Sequence, residues 1–150
     1  MKHLLLTSLL FVNFVFANFK VGDTLPAIIL EDQFGQVQKV TSKDTIIIMT
    51  FEKDVSIAIA DYLKVKPNKF LINQNTKYIS DVSSMPSLMM SIFAIPKMKK
   101  YKFSIMLIKD ELGEKFNRED GKITVLYIKA RKIKNISFIA PKEISKIFIK

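Results

Sequence analysis

Residues 45–57 read Thr-Ile-Ile-Ile-Met-Thr-Phe-Glu-Lys-Asp-Val-Ser-Ile, and the first seven of them carry no charge. An uncharged run rich in β-branched residues is typical of a central strand that is buried on both faces of a sheet. After the polar break at Glu52–Asp54, the apolar residues of Val55–Val65 predict a helix, with Asp54 as its N-cap and Pro67 as its end. A buried strand that leads directly into a helix predicts an α/β domain.

The segments on either side complete the set of predicted elements. Ala27–Leu30 and Gln36–Val40 flank a turn that contains Gly35, which predicts a hairpin. Further along the chain we predict strands at Phe70–Ile72 and Lys77–Val82, followed by a helix from Ser83 or Ser84 to Ile95-Pro96. We then predict a hairpin of Tyr101–Ile108 with Ile123–Ile139. A last helix begins at Pro141 and has an apolar stripe of Ile144, Ile147 and Phe148.

The N-terminus has the parts of an export signal. Met1–His3 is a short basic start, Leu4–Phe16 is almost wholly apolar, and Val15 and Ala17 occupy the cleavage positions. We predict a signal peptide over residues 1–17, cleaved after Ala17, and one domain over residues 18–150 in the periplasm or outside the cell. A buried N-terminal helix or an uncleaved anchor is the alternative, although the apolar run is shorter than the ~20 residues that span a bilayer.

Composition restricts the chemistry of the mature domain. The chain has no cysteine and no tryptophan, and its one histidine is His3, inside the predicted signal. Without thiol or imidazole, thiol–disulfide exchange, cysteine peroxidase chemistry, Ser-His-Asp triads and zinc or copper sites built on Cys and His are excluded. Only 4 glycines are present, and none forms a phosphate-binding motif. We therefore predict no catalytic residue, no metal and no cofactor.

Positive charge is concentrated in the C-terminal part of the chain. The formal net charge is +10; residues 18–94 contain 8 basic and 8 acidic residues, whereas residues 95–150 contain 15 basic and 6 acidic ones. Such a field attracts an anionic lipid, a glycan or an acidic protein, whereas no nucleic-acid motif accompanies it. An ordinary solvated lysine-rich surface is the alternative. The candidate contacts are Lys97, Lys99, Lys100, Lys129, Arg131, Lys132 and Lys134.

Two further groups of side chains have both a structural and a functional interpretation. The acidic residues between Asp110 and Asp120 lack EF-hand spacing, and we interpret them as a hairpin loop and not as a calcium site. Met85, Met90 and Met98 lie near the ends of predicted elements and are candidates for an adaptable contact surface. Met89 has the spacing of a core residue.

The phrase Val21-Gly22-Asp23-Thr24-Leu25-Pro26, followed by Ile29-Leu30-Glu31-Asp32-Gln33-Phe34-Gly35, resembles the opening of redoxins and peroxiredoxins in the thioredoxin-like superfamily. The resemblance implies a thioredoxin-like domain with a mixed central sheet and flanking helices. It places the redox cysteines around Glu52–Ile57, where this chain has none, so the family's redox activity does not carry over. It also implies a cis-proline at the start of the strand Tyr101–Ile108, and Pro96 lies about five residues too early. The remnant active-site loop is Glu52, Lys53, Asp54 and Ser56.

The sequence favours an exported, non-redox binding or scaffold protein that contacts an anionic surface or acidic partner through its basic C-terminal part. The alternative is an enzyme or small-ligand carrier that uses the remnant cleft through Glu52, Lys53, Asp54 or Tyr101. A concave pocket beside the remnant loop distinguishes the alternative, because a flat surface there would leave no room for a ligand.

Overall fold

The N-terminal hairpin predicted from the sequence is confirmed. The computed structural model describes residues 17–149, so the predicted signal peptide, except for Ala17, lies outside the described residues. β1 (Ile29–Glu31) and β2 (Val37–Lys39) pair antiparallel. Gly35 takes a φ of 75° in the turn between them, a left-handed conformation that glycine adopts without steric cost.

A five-stranded mixed sheet forms the centre of the fold. Its middle strand is β3 (Ile46–Thr50), all of whose residues are buried, as predicted. β4 (Thr76–Asp81) and β5 (Met106–Ile108) follow in parallel on one side. β6 (Ile123–Lys129) and β7 (Lys132–Ile139) are antiparallel neighbours on the other side. The order β5-β4-β3-β6-β7 confirms the predicted α/β class.

Helical segments cover one face of this sheet, apart from the 3-10 turn Glu111–Lys115, whose Leu112 packs on the other face. The segments are α1 (Lys53–Lys64), α2 (Phe70–Asn73), α3 (Ser87–Met89), a π turn (Met90–Ala94), α4 (Ile95–Met98) and two 3-10 turns, Glu111–Lys115 and Pro141–Phe148. The π turn joins α3 and α4 into one continuous segment, called here the α3–α4 helix.

The core has two layers because side chains alternate along each strand. Ile46 and Ile48 face α1 and the C-terminal 3-10 turn, whose Ile144 and Ile147 are buried as the sequence predicts. Residues Ile47 and Met49 face the other way, where the N-terminal hairpin segment and Phe116 cover them. The cleft described below therefore lies on the helical side of the sheet.

The predicted strand Phe70–Ile72 is wrong, since these residues belong to α2. The Asn73 amide donates to the Lys69 carbonyl at 2.8 Å, and the Phe70 amide donates to the Pro67 carbonyl at 2.9 Å. The short apolar run permits strand and helix equally, and the turn that begins at Pro67 decides between them.

Three predicted helix boundaries also differ, and the first is the start of α3, which lies at Ser87 and not at Ser83 or Ser84. Glu52, and not Asp54, precedes the first residue of α1, and Asp54 lies in the first turn, where a negative charge favours the helix dipole. The helix predicted to end at Ile95-Pro96 continues to Met98. Proline has no amide to donate and its ring crowds the preceding turn, and the wider π turn directly before Ile95 accommodates it.

The predicted hairpin of Tyr101–Ile108 with Ile123–Ile139 is wrong. β5 pairs with β4 at one edge of the sheet, and the second hairpin is formed by β6 and β7. Its turn consists of Ala130 and Arg131, with φ values of 48° and 64°, a conformation that the sequence Ala-Arg does not signal. Residues 109–122 are therefore a crossover that passes the ends of β4 and β3, and not a hairpin loop.

The hairpin segment is fixed to β5 by two buried polar side chains. Asp32 accepts hydrogen bonds from the Phe34 and Gln36 amides, at 2.9 and 3.0 Å, and from Gln38 and Ser104. The Gln33 amide group donates to the Phe103 carbonyl and accepts from the Ile105 amide, both at 2.7 Å. Asp32 and Gln33 are called here the edge clamp. Asp32 also pairs with Met106 of β5 in an antiparallel bridge.

The start of β7, at the opposite edge, is covered by residues 22–25. Thr24 forms an antiparallel bridge with Lys132, and the Leu25 amide donates to the Arg131 carbonyl at 2.8 Å. Both edges of the sheet thus receive a partner from the N-terminal stretch. Within residues 17–149 no helix has the length and apolar character needed to cross a bilayer.

Candidate binding cleft

The remnant loop lies where the sequence places it, between the end of β3 and the start of α1. Glu52, Lys53 and Asp54 are exposed. The Glu52 carboxylate accepts a hydrogen bond from the Gly121 amide at 2.7 Å, so it joins the start of α1 to the crossover loop. Its role in the described structure is to hold two segments together.

Four hydroxyl side chains meet beside this loop. The Ser56 hydroxyl donates to the Thr50 hydroxyl at 2.8 Å, and Thr50 in turn lies 3.2 Å from the Tyr78 hydroxyl and 3.3 Å from that of Ser80. We call Thr50, Ser56, Tyr78 and Ser80 the hydroxyl cluster. Only Ser56 was predicted as a site residue.

The sequence carries a signal for the three residues that were missed. Thr50 ends a strand whose preceding residues are all apolar, and it shares a face with Ile46 and Ile48. Tyr78 and Ser80 alternate in β4 and therefore also share one face. The sequence pattern within each strand does not show the parallel register of β3 and β4, which places Thr50 opposite Ser80.

The hydroxyl cluster is electrically neutral. Burial raises the pKa of Tyr78 to about 12 and outweighs the hydrogen bonds from Thr50, Ser56 and Ser80, which lower it. The phenol therefore keeps its proton at neutral pH. The cluster can donate and accept hydrogen bonds, but it holds no anionic nucleophile and no base.

A cleft of about 460 Å³ opens between α1 and the α3–α4 helix, directly over the cluster. This volume lies within the range of small-molecule sites. Ser56, Tyr78 and Ser80 contribute part of its polar surface, and its walls are mainly apolar. The apolar walls include Ile57, Ala60, Met85, Met89, Phe93, Met98 and Ile105. The site beside the remnant loop is therefore concave, as the ligand-carrier alternative requires.

The methionines are divided differently from the prediction. Met85 and Met98 line the cleft, and Met98 also packs against the core. Met90 packs against the core, whereas Met89 is exposed at the rim of the cleft, so the predicted roles of these two are exchanged. The π turn at Met90–Ala94 changes the angular spacing along the helix, which a regular helical pattern does not anticipate.

The charged residues around the cleft differ in their partners. Glu52 is bonded to Gly121, and Asp81 accepts hydrogen bonds from the Ser83 amide and hydroxyl at 2.9 and 2.6 Å. Gly113 of the crossover approaches the Asp81 carboxylate so closely that a Cβ at this position has no room. Lys53 and Lys97, which also line the cleft, form no ion pair with any residue of 17–149.

The seven predicted basic contacts form two separate groups. Lys97, Lys99 and Lys100 lie at the end of the α3–α4 helix, next to Met98, whose carbonyl accepts a 3.4 Å hydrogen bond from the edge clamp at β5. The other four, Lys129, Arg131, Lys132 and Lys134, lie at the β6–β7 turn. Four strand spacings, about 19 Å in total, separate these edges. The structure therefore does not bring the two groups together.

None of these seven residues forms an ion pair within the described part of the chain. Across the same part, no group of three or more His, Cys, Asp or Glu side chains is arranged to hold a metal ion. Pro96 lies inside α4, and every peptide bond of residues 17–149 is trans. The cis-proline that the family resemblance implies before β5 therefore has no counterpart in these residues.

No protein-family model matches the sequence, and no curated protein matches it either. Solved structures do match. The peroxidoxin BcpB from Mycobacterium tuberculosis has 14% identity and a TM-score of 0.57, over 87% of this chain and 95% of that one. The thioredoxin domain of a thiol-disulfide oxidoreductase from Bacteroides vulgatus has 14% identity and a TM-score of 0.54, over 88% and 100%.

A thio-disulfide isomerase from Thermus thermophilus is also similar, with 17% identity, a TM-score of 0.54, and coverage of 85% of this chain and 94% of that one. These similarities show the fold alone. The chain has a thioredoxin-like fold without cysteine, as the sequence predicts.

Proposed function

We propose that this protein is a non-redox, thioredoxin-like binding protein that holds a small amphipathic molecule in the cleft between α1 and the α3–α4 helix. One observation carries the proposal: an apolar cleft of about 460 Å³ lies over a neutral hydroxyl cluster, at the position where the fold family has its reactive loop. Binding thus takes the place of the chemistry that the missing thiols exclude.

The lining supports a ligand with an apolar body and one polar end. Methionine side chains adapt to different shapes, and three of them line the cleft. Ser56, Tyr78 and Ser80 retain acceptor capacity for a ligand hydroxyl, since each hydroxyl oxygen accepts two hydrogen bonds. Lys53 and Lys97 at the lining are free of carboxylate partners within residues 17–149 and favour an acidic end group.

The absence of tryptophan from the chain allows a direct test. Phe93→Trp places a single tryptophan at the cleft, and Phe138→Trp places one on β7, away from it. We expect titration with dodecanol or dodecanoate to shift the emission of the first protein in a saturable manner. The emission of the second protein should stay unchanged.

A pair of blocking variants checks the location. Ala94→Phe fills the cleft, whereas Ser91→Phe adds the same ring to an exposed position of the same helix that does not line it. In the Phe93→Trp protein, we expect Ala94→Phe to weaken binding by about tenfold or more, because a loss of ~1.4 kcal/mol of binding free energy raises the dissociation constant tenfold. Equal weakening by both changes, or an emission that never saturates, contradicts the proposal.

The enzyme alternative predicts an activity that depends on Glu52 or Asp54. Both side chains are exposed, and the Glu52 carboxylate is bonded to the Gly121 amide, so a binding role predicts that Glu52→Ala and Asp54→Ala leave ligand affinity within about twofold. Loss of a measurable reaction in these variants would favour the enzyme instead.

A contact between the basic C-terminal part and an anionic surface or acidic partner remains a second proposal. The seven basic residues are free of ion pairs within the described residues, which supports an external counter-charge. Their separation into two groups means that one flat surface need not engage both. The group at the α3–α4 helix has a further property, described next.

A further inference from the structure

The α3–α4 helix presents large apolar side chains to solvent. Leu88, Met89, Ile92 and Phe93 are 67%, 49%, 53% and 62% exposed. They occur at positions i, i+1, i+4 and i+5, which places them on one side of a helix. Scattered apolar residues are common on protein surfaces, but four adjacent ones on one element mark an interaction site.

The chain segment that carries this apolar face has charge of a single sign, whereas Glu52 and Asp81 lie at the cleft that Met89 and Phe93 also line. From Val82 to Lys109 the chain contains no aspartate or glutamate and five lysines. Lys97, Lys99, Lys100 and Lys102 lie at or just beyond the end of the helix and form no ion pair within residues 17–149. The complement of this surface is therefore apolar and anionic.

The polar side chains of the helix indicate which kind of partner fits. Apart from lysine, the only polar residues from Ser87 to Met98 are Ser87 and Ser91, and the Ser91 hydroxyl already donates to the Leu88 carbonyl at 3.1 Å. Such a surface offers few directional hydrogen bonds with which to recognise a particular protein. It offers apolar side chains for an acyl boundary and flexible cationic side chains for headgroups, the two components of interfacial binding.

We propose that the α3–α4 helix docks on an anionic phospholipid bilayer, with Leu88, Met89, Ile92 and Phe93 in the headgroup boundary and Lys97, Lys99, Lys100 and Lys102 on the phosphates. This inference goes beyond ligand binding in the cleft and does not require it. The lysines of the β6–β7 turn take no part, because they lie at the opposite edge of the sheet.

The test uses the full chain with a single tryptophan at a position outside the cleft. Leu88→Trp reports on the apolar face, and Phe138→Trp is the control on β7. Each protein is mixed with vesicles of phosphatidylcholine alone or with phosphatidylglycerol, in which a portion of the lipid carries brominated acyl chains. Quenching by bromine reports the insertion of that tryptophan and not of another part of the chain.

We expect the tryptophan at position 88 to shift to the blue and be quenched only with phosphatidylglycerol, and to recover in salt near 1 M, where the Debye length is about 3 Å. The control tryptophan should remain unquenched. Lys99→Glu with Lys100→Glu should lower the partition coefficient at least ~25-fold, since each lysine near an anionic surface contributes about fivefold. The matched pair Lys129→Glu with Lys132→Glu should lower it by less than about threefold.

Three results would overturn the proposal. The first is no quenching at position 88 in any vesicle, including the case in which the protein sediments with vesicles through another part of the chain. The second is equal loss with the two charge-reversal pairs. The third is that, without lipid, the tryptophan at position 88 becomes buried to an extent that increases with protein concentration. This result would mean that the apolar face binds a second copy of the chain. A cleft that fails to bind dodecanol leaves these results unchanged, so the two proposals can fail separately.

Discussion

The edge clamp and the hydroxyl cluster are both buried and polar, but they use their hydrogen bonds differently. Asp32 and Gln33 bind mainly main-chain groups, of the hairpin turn and of the segment entering β5. The hydroxyl cluster binds within itself and opens on the cleft. A buried polar side chain that forms its hydrogen bonds with the main chain supports the fold, whereas one that faces a cleft can still form a hydrogen bond with a ligand.

The largest expected effect is that of Asp32→Ala. The change leaves two amides and two side-chain donors without their acceptor in a buried position, so we expect a loss of about 3–4 kcal/mol in the free energy of unfolding. Urea unfolding measures it. Asp54→Ala, which removes an exposed carboxylate, is the matched control and should cost less than about 1 kcal/mol. Similar losses in the two proteins would show that the clamp is not structural.

The next effect is a loss of stability in alkali that depends on Tyr78. Its pKa in the folded protein is about 12, against 10.0 for an ordinary tyrosine, so the folded state holds this proton to higher pH than the unfolded chain does. The stability is therefore complete below pH 10 and declines as the pH rises from 10 towards 12, by about 2–3 kcal/mol.

Tyr78→Phe is the control for this pH dependence, because it keeps the ring and removes the ionisable group. Tyr127, whose pKa is raised by burial, is present in both proteins, so its contribution cancels in the comparison. Urea unfolding of the two proteins across this pH range gives the difference. Parallel curves would mean that the phenol is not held neutral by burial.

The smallest expected effect on stability is that of Thr50→Val. The two side chains have the same shape, and the hydroxyls of Ser56, Tyr78 and Ser80 can reorient towards each other or the cleft, so the cost should be about 1 kcal/mol. In the Phe93→Trp background, Ser80→Ala, which removes a hydroxyl that lines the cleft, should weaken the binding of dodecanol by about fivefold, which corresponds to one such hydrogen bond. A loss of stability as large as that of Asp32→Ala would place the cluster with the clamp as a structural element.

Local pattern was sufficient to predict some elements and insufficient for others. β3 and α1 are long enough, and their apolar periodicity clear enough, for the sequence to identify them. Phe70–Ile72 is too short for periodicity to decide, and the pairing of β6 with β7 depends on a turn without glycine. These choices depend on contacts made elsewhere in the chain, which no short window contains.

The candidate site divides in the same way. The position of the remnant loop followed from the strand–helix junction, and Ser56 was found with it. Thr50, Tyr78 and Ser80 were missed because their hydrogen bonds join residues 28 and 30 positions apart. The division of the basic residues between two edges likewise depends on strand order, which charge counts along the sequence do not reveal.

The coverage of both sheet edges by the N-terminal stretch has a consequence for aggregation. Thr24 pairs with the start of β7 and Asp32 with β5, so one short piece of chain occupies main-chain groups at the two sides where another molecule would add a strand. Removing this stretch would leave these edges free for intermolecular strand pairing. We therefore expect the phrase that carries the family resemblance also to hinder the pairing of the sheet with strands of other molecules at these two positions.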